Sequence, residues 1–322
     1  MPNANQIIAL IKSHIEADDI RFKEIALQIA ASEAKSGHAV LSRNITELIN
    51  RPNNPRFVTR SFTSLNSEVS EYVMEIDDSF GMDNIVCPDE VRNKLNRIIR
   101  EYIQRELLYK NNLTNRRKIL LTGPSGTGKT MTASILANEL HLPLYVVRME
   151  RVITKYMGES SLKLSKVFDL ISSVRGVYLF DEFDAIGMQR GQENEVGEMR
   201  RILNTFLLMM ERMDSDSLII AATNCGNQLD KALFRRFDDV IEYSLPDERE
   251  IKILLSHCLY GFDTSKVKME SILPLLKGMS HAEITSICMD AVKESLLSEV
   301  VLSNHVMEMA IQQRNNTIKM IG

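Results

Sequence analysis

The sequence predicts an α/β fold: a domain on a parallel sheet, preceded by a small helical domain and followed by a small helical lid. Three observations carry that expectation. The stretch Gly123-Pro-Ser-Gly-Thr-Gly-Lys129-Thr130 fits the spacing G-x-x-x-x-G-K-[ST] at every fixed position. Between residues 118 and 243 short apolar runs alternate with helical stretches, the pattern of strands buried in a parallel sheet between two layers of helix. Residues 1 to about 50, and the chain beyond Pro246, carry helical periodicity alone. The expected boundaries are 1–77 for the N-terminal domain and its linker, 78–246 for the α/β part and 247–322 for the lid.

Taken in order, Ile7, Ile8, Ile11 and Ile15 share one helical face, and Phe22, Ile25, Ala26 and Ile29 share another. Asp18 or Asp19 is placed to cap the second helix and Gly37 to end it. A third segment carries Leu41, Ile45, Leu48 and Ile49. Arg51-Pro-Asn-Asn-Pro-Arg56 breaks the pattern, and the Ser/Thr-rich stretch from Phe57 to Ser70 reads as a linker or an irregular subdomain. Residues Tyr72 to Ile76 are either a strand or an extended lead-in. This first piece either docks a partner or substrate or serves as a packing appendage.

Pro88 starts a long helix whose inward stripe is Val91, Leu95, Ile98, Ile99, Tyr102 and Ile103. Lys118–Thr122 reads as a buried strand, and Met131–Leu140 reads as the helix after the glycine-rich turn. Further strands are expected at Leu144–Val147, Val177–Phe180, Leu218–Ala222 and Val240–Tyr243, with helices at Glu159–Ser173 and 195–212 between them. In the lid, Asp247–Glu250 opens a helix and residues 270–277 form a second. A third runs from Ala282 to Val300 with Ile284, Ile287, Cys288, Ala291, Val292 and Leu296 on one face, and 304–314 adds a fourth.

Composition narrows the function classes. The 322 residues are 44% hydrophobic and 25% charged with a formal net charge of −4, which argues against a broadly basic nucleic-acid surface. Cys87, Cys225, Cys258 and Cys288 are scattered with no C-x-x-C pair, so reduced thiols are expected rather than zinc or a redox dithiol. No apolar run approaches the ~18 residues of a membrane span, and the N-terminus lacks a signal-peptide core. A cytoplasmic protein without membrane attachment is expected.

The glycine-rich turn predicts the chemistry. Its glycines let the backbone wrap an anion closely, and the N–H groups at the start of the next helix favour negative charge. The loop is therefore expected to hold a triphosphate. Phosphoryl transfer to water then needs a metal, a positioned water and positive charge on the γ-phosphate. Lys129 can reach the β- and γ-phosphates and the Thr130 hydroxyl can ligate Mg²⁺. The strand at Val177–Phe180 delivers Asp181 and Glu182 to the carboxyl edge of the sheet, Asp181 for the Mg²⁺ shell and Glu182 to polarise the attacking water. Asn224, at the end of the Leu218–Ala222 strand, is placed to hydrogen-bond both that water and a γ-phosphate oxygen.

The glycine-rich loop, Phe180-Asp-Glu-Phe-Asp-Ala-Ile186, Ala221-Ala-Thr-Asn224 and Leu229-Asp-Lys-Ala-Leu-Phe-Arg-Arg-Phe-Asp238 together resemble the AAA ATPases in the narrow sense, the group containing katanin, spastin and FtsH. The likeness runs from about Phe80 to Val300. It implies ATP and Mg²⁺ as ligands, with Gly123, Pro124, Ser125, Gly126, Thr127, Gly128, Lys129, Thr130 and Met131 around the phosphates. It implies that Ile85 and Val86 line the adenine pocket, joined by His281 and Ala282 from the lid segment Gly278–Ile284, where His281 stands in place of the family's glycine. Arg235 and Arg236 match arginines that reach a neighbour's ATP, which implies a homo-oligomeric ring, by analogy a hexamer.

Tyr156 and Met157 resemble the first pore loop of that family, whose aromatic residues grip an unfolded protein chain; Gln189–Glu193 is either the second pore loop or a solvated turn. The resemblance thus implies an Mg-ATP-hydrolysing ring that unfolds or threads protein substrates. An ATP-dependent loader or switch acting on DNA is the alternative. The chain has no H-E-x-x-H zinc motif, and a separately encoded serine protease is the partner that small stand-alone relatives suggest.

Overall fold

The structure, a computed structural model, describes residues 12, 19–35, 42, 69–77, 80–154, 158–184, 193–226 and 231–321. It divides into two compact units, Met1–Val58 and Thr59–Gly322. In the first, helix α1 spans Asp19–Lys35. Ala26 and Ile29 of its predicted apolar face are buried, and Phe22 and Ile25 are half-buried. The faces predicted around Ile7–Ile15 and Leu41–Ile49 lie outside the described residues.

The second unit runs β1 (Val73–Ile76), α2 (Asp89–Ile103), α3 (Arg105–Lys110), β2 (Lys118–Thr122), α4 (Lys129–Glu139), β3 (Leu144–Val147), α5 (Met149–Val152) and α6 (Glu159–Ser173). It continues with β4 (Val177–Phe180), α7 (Glu193–Arg212), β5 (Leu218–Thr223), α8 (Lys231–Phe234) and β6 (Asp239–Glu242). The last helices are α9 (Glu248–Cys258), α10 (Met269–Leu276), α11 (His281–Leu297) and α12 (Asn304–Ile321). The six strands lie in the order β1-β3-β4-β5-β2-β6. All neighbours pair parallel except β1, which runs antiparallel to β3 with Val73 opposite Val147. Tyr72–Ile76 thus contains a strand, but one that breaks the all-parallel pattern at the edge.

The strands are short, and both faces of the inner ones are covered. Side chains in a strand alternate between faces, and that period yields two cores. Leu120, Tyr178, Phe180, Ile219 and Ala221 face one core, closed by Leu164, Val167 and Phe168 of α6 and Ile202, Phe206 and Met210 of α7. Ile119, Leu121, Val177, Leu179, Leu218 and Ile220 face the other, closed by Val91, Leu95 and Ile98 of α2 and Ala133, Ile135 and Leu136 of α4. Continuous apolar runs are therefore required, because neither face meets water.

Helices α9 to α12 enclose a third core around Leu255, Leu276, Ile284, Ile287, Cys288 and Met307, which Val86 joins from the segment before α2. Two of these helices are started by reciprocal capping boxes, Asp247 with Glu250 and Ser280 with Glu283. Each satisfies two of the N–H groups that a helix start leaves without partners. Among the described residues, no helix is long and apolar enough to cross a membrane.

The phosphate-loop strand is internal, between β5 and β6, and β6 crowds the residue just beyond it. The Tyr243 N–H donates to the Thr122 carbonyl at 2.7 Å. Gly123 has φ +140°, and a Cβ there would lie 2.2 Å from the Tyr243 carbonyl oxygen. Gly123→Ala is therefore expected to lower the urea unfolding midpoint by the equivalent of about 2 kcal/mol or more, since backbone atoms must move to admit the methyl. A midpoint equal to that of the unmodified chain would show that β6 does not close on the loop in this way.

Candidate nucleotide site

The loop from Gly123 to Gly128 leaves the end of β2 and turns into α4 through three glycines with positive φ, Gly123, Gly126 and Gly128. Such angles are strained for side-chain-bearing residues, so the turn has the backbone freedom that an anion cradle needs. Its curvature is held from inside. The Thr127 hydroxyl donates to the Pro124 carbonyl at 2.8 Å. Lys129 folds back over the loop, and its ammonium donates to the Gly123 and Pro124 carbonyls at 2.8 and 2.7 Å and to Asn224 Oδ1 at 2.9 Å. Burial lowers the Lys129 pKa, and the charges of Asp181 and Asp184 oppose that shift.

Behind the loop, Thr132 Oγ1 donates to the Gly128 carbonyl and shares a 2.5 Å hydrogen bond with the Tyr243 hydroxyl. With Thr132 committed to Gly128, the phenol is the donor of that bond. Burial raises the Tyr243 pKa, which keeps the phenol protonated for this role. Neither residue stands out in the sequence, because they are 111 positions apart.

The carboxylates arrive as predicted. Strand β4 is buried throughout and ends at Asp181, whose Oδ2 accepts from the Thr130 hydroxyl at 2.8 Å. The Glu182 N–H donates to Asp181 Oδ1 at 2.9 Å, and the Phe183 N–H donates to the Ala222 carbonyl at 2.8 Å. Glu182 sits at φ +52°, a left-handed conformation that costs a non-glycine residue about 1–2 kcal/mol. It is exposed at the edge of the site. A strained, exposed acid at the end of a buried strand is the kind of outlier from which function is inferred.

Asp184 carries no signal of its own in the sequence. Its Oδ1 accepts from the Thr223 hydroxyl at 3.3 Å and from the Asn224 N–H at 3.5 Å. Asn224 thus has its backbone held by Asp184 and its amide oxygen held by Lys129. Its NH₂ group, with two donors, keeps no protein partner among the described residues.

The start of the lid is packed on the loop. The Ala282 N–H donates to the Gly126 carbonyl at 3.0 Å, and a Cβ on Gly126 would come within 2.7 Å of Ser280 Oγ. Between these two contacts lies His281. Both of its ring nitrogens are buried and, among the described residues, neither is within full hydrogen-bond geometry of a partner; burial lowers its pKa, and a weak backbone contact with Val86 opposes that shift.

Ile85 and Val86 are both buried and line a cleft of about 350 Å³ together with Arg92, Ile253 and His257. Arg92 donates to the Met82 and Ile85 carbonyls at 3.1 and 2.8 Å and so fixes this segment. Ile253 and His257 are further lining residues that sequence reasoning missed. They stand one helical turn apart on α9, a spacing whose only signal is that both share a face.

Arg235 and Arg236 lie elsewhere. Both are exposed, and they line a second cavity, of about 470 Å³, with Lys118, Glu211 and Asp238. Asp238 accepts from the N–H groups of Arg117 and Lys118 at 2.8 and 2.9 Å, at the start of β2. The phosphate loop leaves the other end of that strand, roughly 13 Å away at about 3.3 Å per residue. The arginines are therefore not brought to the phosphate loop of their own chain. Tyr156, Met157 and Gln189–Gln192 lie outside the described residues, although the flanks of the former are bonded, Thr154 N–H donating to Ser160 Oγ at 3.0 Å.

Residues 119–245 match the family described as the ATPase family associated with various cellular activities (AAA). The chain is 30% identical over 287 residues to an uncharacterized AAA family ATPase, y4kL, of Sinorhizobium fredii, covering 87% of this chain and 86% of that protein. It is 30% identical over 250 residues to a putative 26S proteasome regulatory subunit homolog of Methanothermobacter thermautotrophicus, covering 74% of this chain and 65% of that one. A proteasome-activating nucleotidase of Methanospirillum hungatei is 37% identical over 183 residues, 54% of this chain and 44% of its own length. The chain thus spans less than two thirds of these proteasomal relatives. Among solved structures, the AAA domain of FIGL-1 shares the fold with a TM-score of 0.62 at 19% identity, over 80% of this chain and 92% of that one.

Asp184 offers a test of the site's geometry, because its carboxylate holds the Thr223–Asn224 turn and, among the described residues, makes no hydrogen bond to the phosphate loop. Asp184→Asn is expected to reduce kcat for ATP about tenfold, the scale of one weakened hydrogen bond, with nucleotide affinity changed less than about threefold. Steady-state hydrolysis and equilibrium binding of a fluorescent nucleotide read the two separately. Equal losses in both would mean that Asp184 supports binding instead.

Proposed function

The chain belongs to the AAA family of ATPases and hydrolyses ATP; from that premise we propose that it forms a ring, by family analogy a hexamer, that uses hydrolysis to unfold or thread protein substrates. The separation of Arg235 and Arg236 from their own phosphate loop carries the ring part of the reading. Two guanidinium groups with the forked donors suited to phosphate are too far from the ATP of their own chain, and a second copy would bring them to it. The relatives named for proteasome activation support action on proteins, with a separately encoded protease as partner. So does the pore-loop resemblance at Tyr156 and Met157. Its setting would be the cytoplasm.

In this reading each site residue has a role. Gly123 to Gly128 and the first turn of α4 hold the phosphates, and Lys129 exchanges its loop carbonyls for β- and γ-phosphate oxygens. Ile85, Val86, Met131, His281 and Ala282 bound the base and ribose, with the 247–322 lid closing over them. The Thr130 hydroxyl and the Asp181 carboxylate, 2.8 Å apart, suit Mg²⁺, which takes one or two protein oxygens and leaves the rest of its shell to phosphate and water. When bound, that ion neutralises charge on the phosphate oxygens.

Glu182 accepts a proton from water as the oxygen attacks the γ-phosphorus, and the bond to the ADP oxygen breaks in line. Asn224 directs its two NH₂ donors at the water and the γ-phosphate. The neighbour's arginines meet the charge that develops on the transferring group.

Glu182→Gln keeps the shape and one acceptor of the side chain but removes most of its basicity. It is expected to bind ATP while slowing turnover by about 100-fold or more, and to accumulate as a ring detected by sedimentation velocity in ATP. Normal turnover by this variant would remove Glu182 from its role. Proteins that co-purify with it in ATP would name the substrate class. Adding Tyr156→Ala to the Glu182→Gln chain is expected to release them; proteins that stay bound would sink the threading reading.

A further inference from the structure

The two arginines differ in what holds them. Arg236 is ion-paired with Glu211, the residue before the last of α7, whereas the Arg235 guanidinium has no hydrogen bond or ion pair among the described residues. The backbone beneath Arg236 is also fixed. Phe237 and Met210, the sequence neighbours of Arg236 and Glu211, are buried in the same core. The Phe237 ring meets Phe183 edge-on at 6.4 Å, and Phe183 packs on Phe206 of α7 at 4.9 Å. On the other side, the Asp238 N–H donates to the Lys118 carbonyl at 2.8 Å while its carboxylate takes the N–H groups of Arg117 and Lys118.

Charge divides in the same way. Three cations and two carboxylates line the cavity, Lys118, Arg235 and Arg236 against Glu211 and Asp238. Asp238 is committed to backbone donors and Glu211 to Arg236, so among the described residues Arg235 keeps no counter-charge. Glu211 and the Arg236 side chain are 39% and 45% exposed, and a pair so open to water contributes only about 0–1 kcal/mol to stability. What the pair supplies is a bias of the Arg236 side chain toward α7.

We propose that Glu211 is a positioning residue that holds Arg236 within its own chain, so that Arg235 alone touches the phosphate of the neighbouring site. This rests on the reading that the arginines act across a subunit boundary. Arg236 then adds its charge at a distance, instead of bonding the transferring group.

The test uses the full-length chain in ATP, with assembly followed by sedimentation and kcat and KM measured for Arg235→Ala, Arg236→Ala, Glu211→Gln and both pairs of arginine variant with Glu211→Gln. Arg235→Ala is expected to lose at least about 100-fold in kcat, in line with loss of a transition-state guanidinium. Arg236→Ala and Glu211→Gln should each lose about three- to tenfold in kcat, with KM and thermal midpoint unchanged. Because they break one interaction, Glu211→Gln should cost nothing more in the Arg236→Ala chain but its full factor in the Arg235→Ala chain. An Arg236→Ala loss as large as that of Arg235→Ala, or a Glu211→Gln effect that persists without Arg236, overturns the division. Arg235→Ala turning over at the unmodified rate overturns instead the cross-subunit reading beneath it.

Discussion

Parallel pairing of β2, β5 and β4 in one register is the constraint on which the site depends. Thr122 lies opposite Thr223, and Phe180 lies opposite Ala221, so three strands end within two residues of a common level. The residues just beyond each strand are thereby delivered to one edge: the glycine loop after β2, Asp181 and Glu182 after β4, Asn224 after β5. A shift of register by one residue would turn every side chain of a strand to the other face. The two apolar faces, each closed by its own pair of helices, forbid that shift. The catalytic edge is accurate because the core is.

The same sheet that gathers the carboxylates separates the arginines. Residues at opposite ends of a parallel strand cannot share a small ligand. The turn after α8 brings Arg235 and Arg236 to the start of β2, where Asp238 clasps the strand's first N–H groups. Phe183 joins the two ends, because it comes directly after Glu182 and its ring touches Phe237, which comes directly after Arg236. Core packing thus runs continuously from one edge of the sheet to the other within a single chain.

How much of this is legible in the sequence depends on how local each signal is. The glycine loop, the helix start at Asp247–Glu250 and the buried strands are written in fewer than ten consecutive residues, and the structure contains all of them. The antiparallel direction of β1 is not legible, since Val73–Ile76 pairs with a strand some seventy residues later and a four-residue alternation carries no direction. The bond between Thr132 and Tyr243, the hold of Asp184 on Thr223 and the pairing of Glu211 with Arg236 each join residues far apart in the chain. Their residue types are ordinary for a helix, a strand end and a helix face. The left-handed Glu182 is hidden for another reason: glutamate has no preference for that conformation, which occurs where its own N–H is held by Asp181 and the next N–H by the Ala222 carbonyl.

Under the proposed function, entry of nucleotide makes Lys129 exchange its partners. An ammonium has three donors, and all three are in use, on Gly123, Pro124 and Asn224. Each phosphate oxygen that the lysine takes must displace one of these acceptors. The exchange is favourable because a charged phosphate oxygen is a stronger partner than a neutral carbonyl, by roughly twofold per bond, and burial sharpens that difference. Loss of the Asn224 bond has a further consequence. Under the proposed function, exchange of that bond would free the Asn224 amide oxygen as phosphate arrives, while Asp184 keeps its backbone in place, and the end of β5 would register occupancy of the loop through a single side chain.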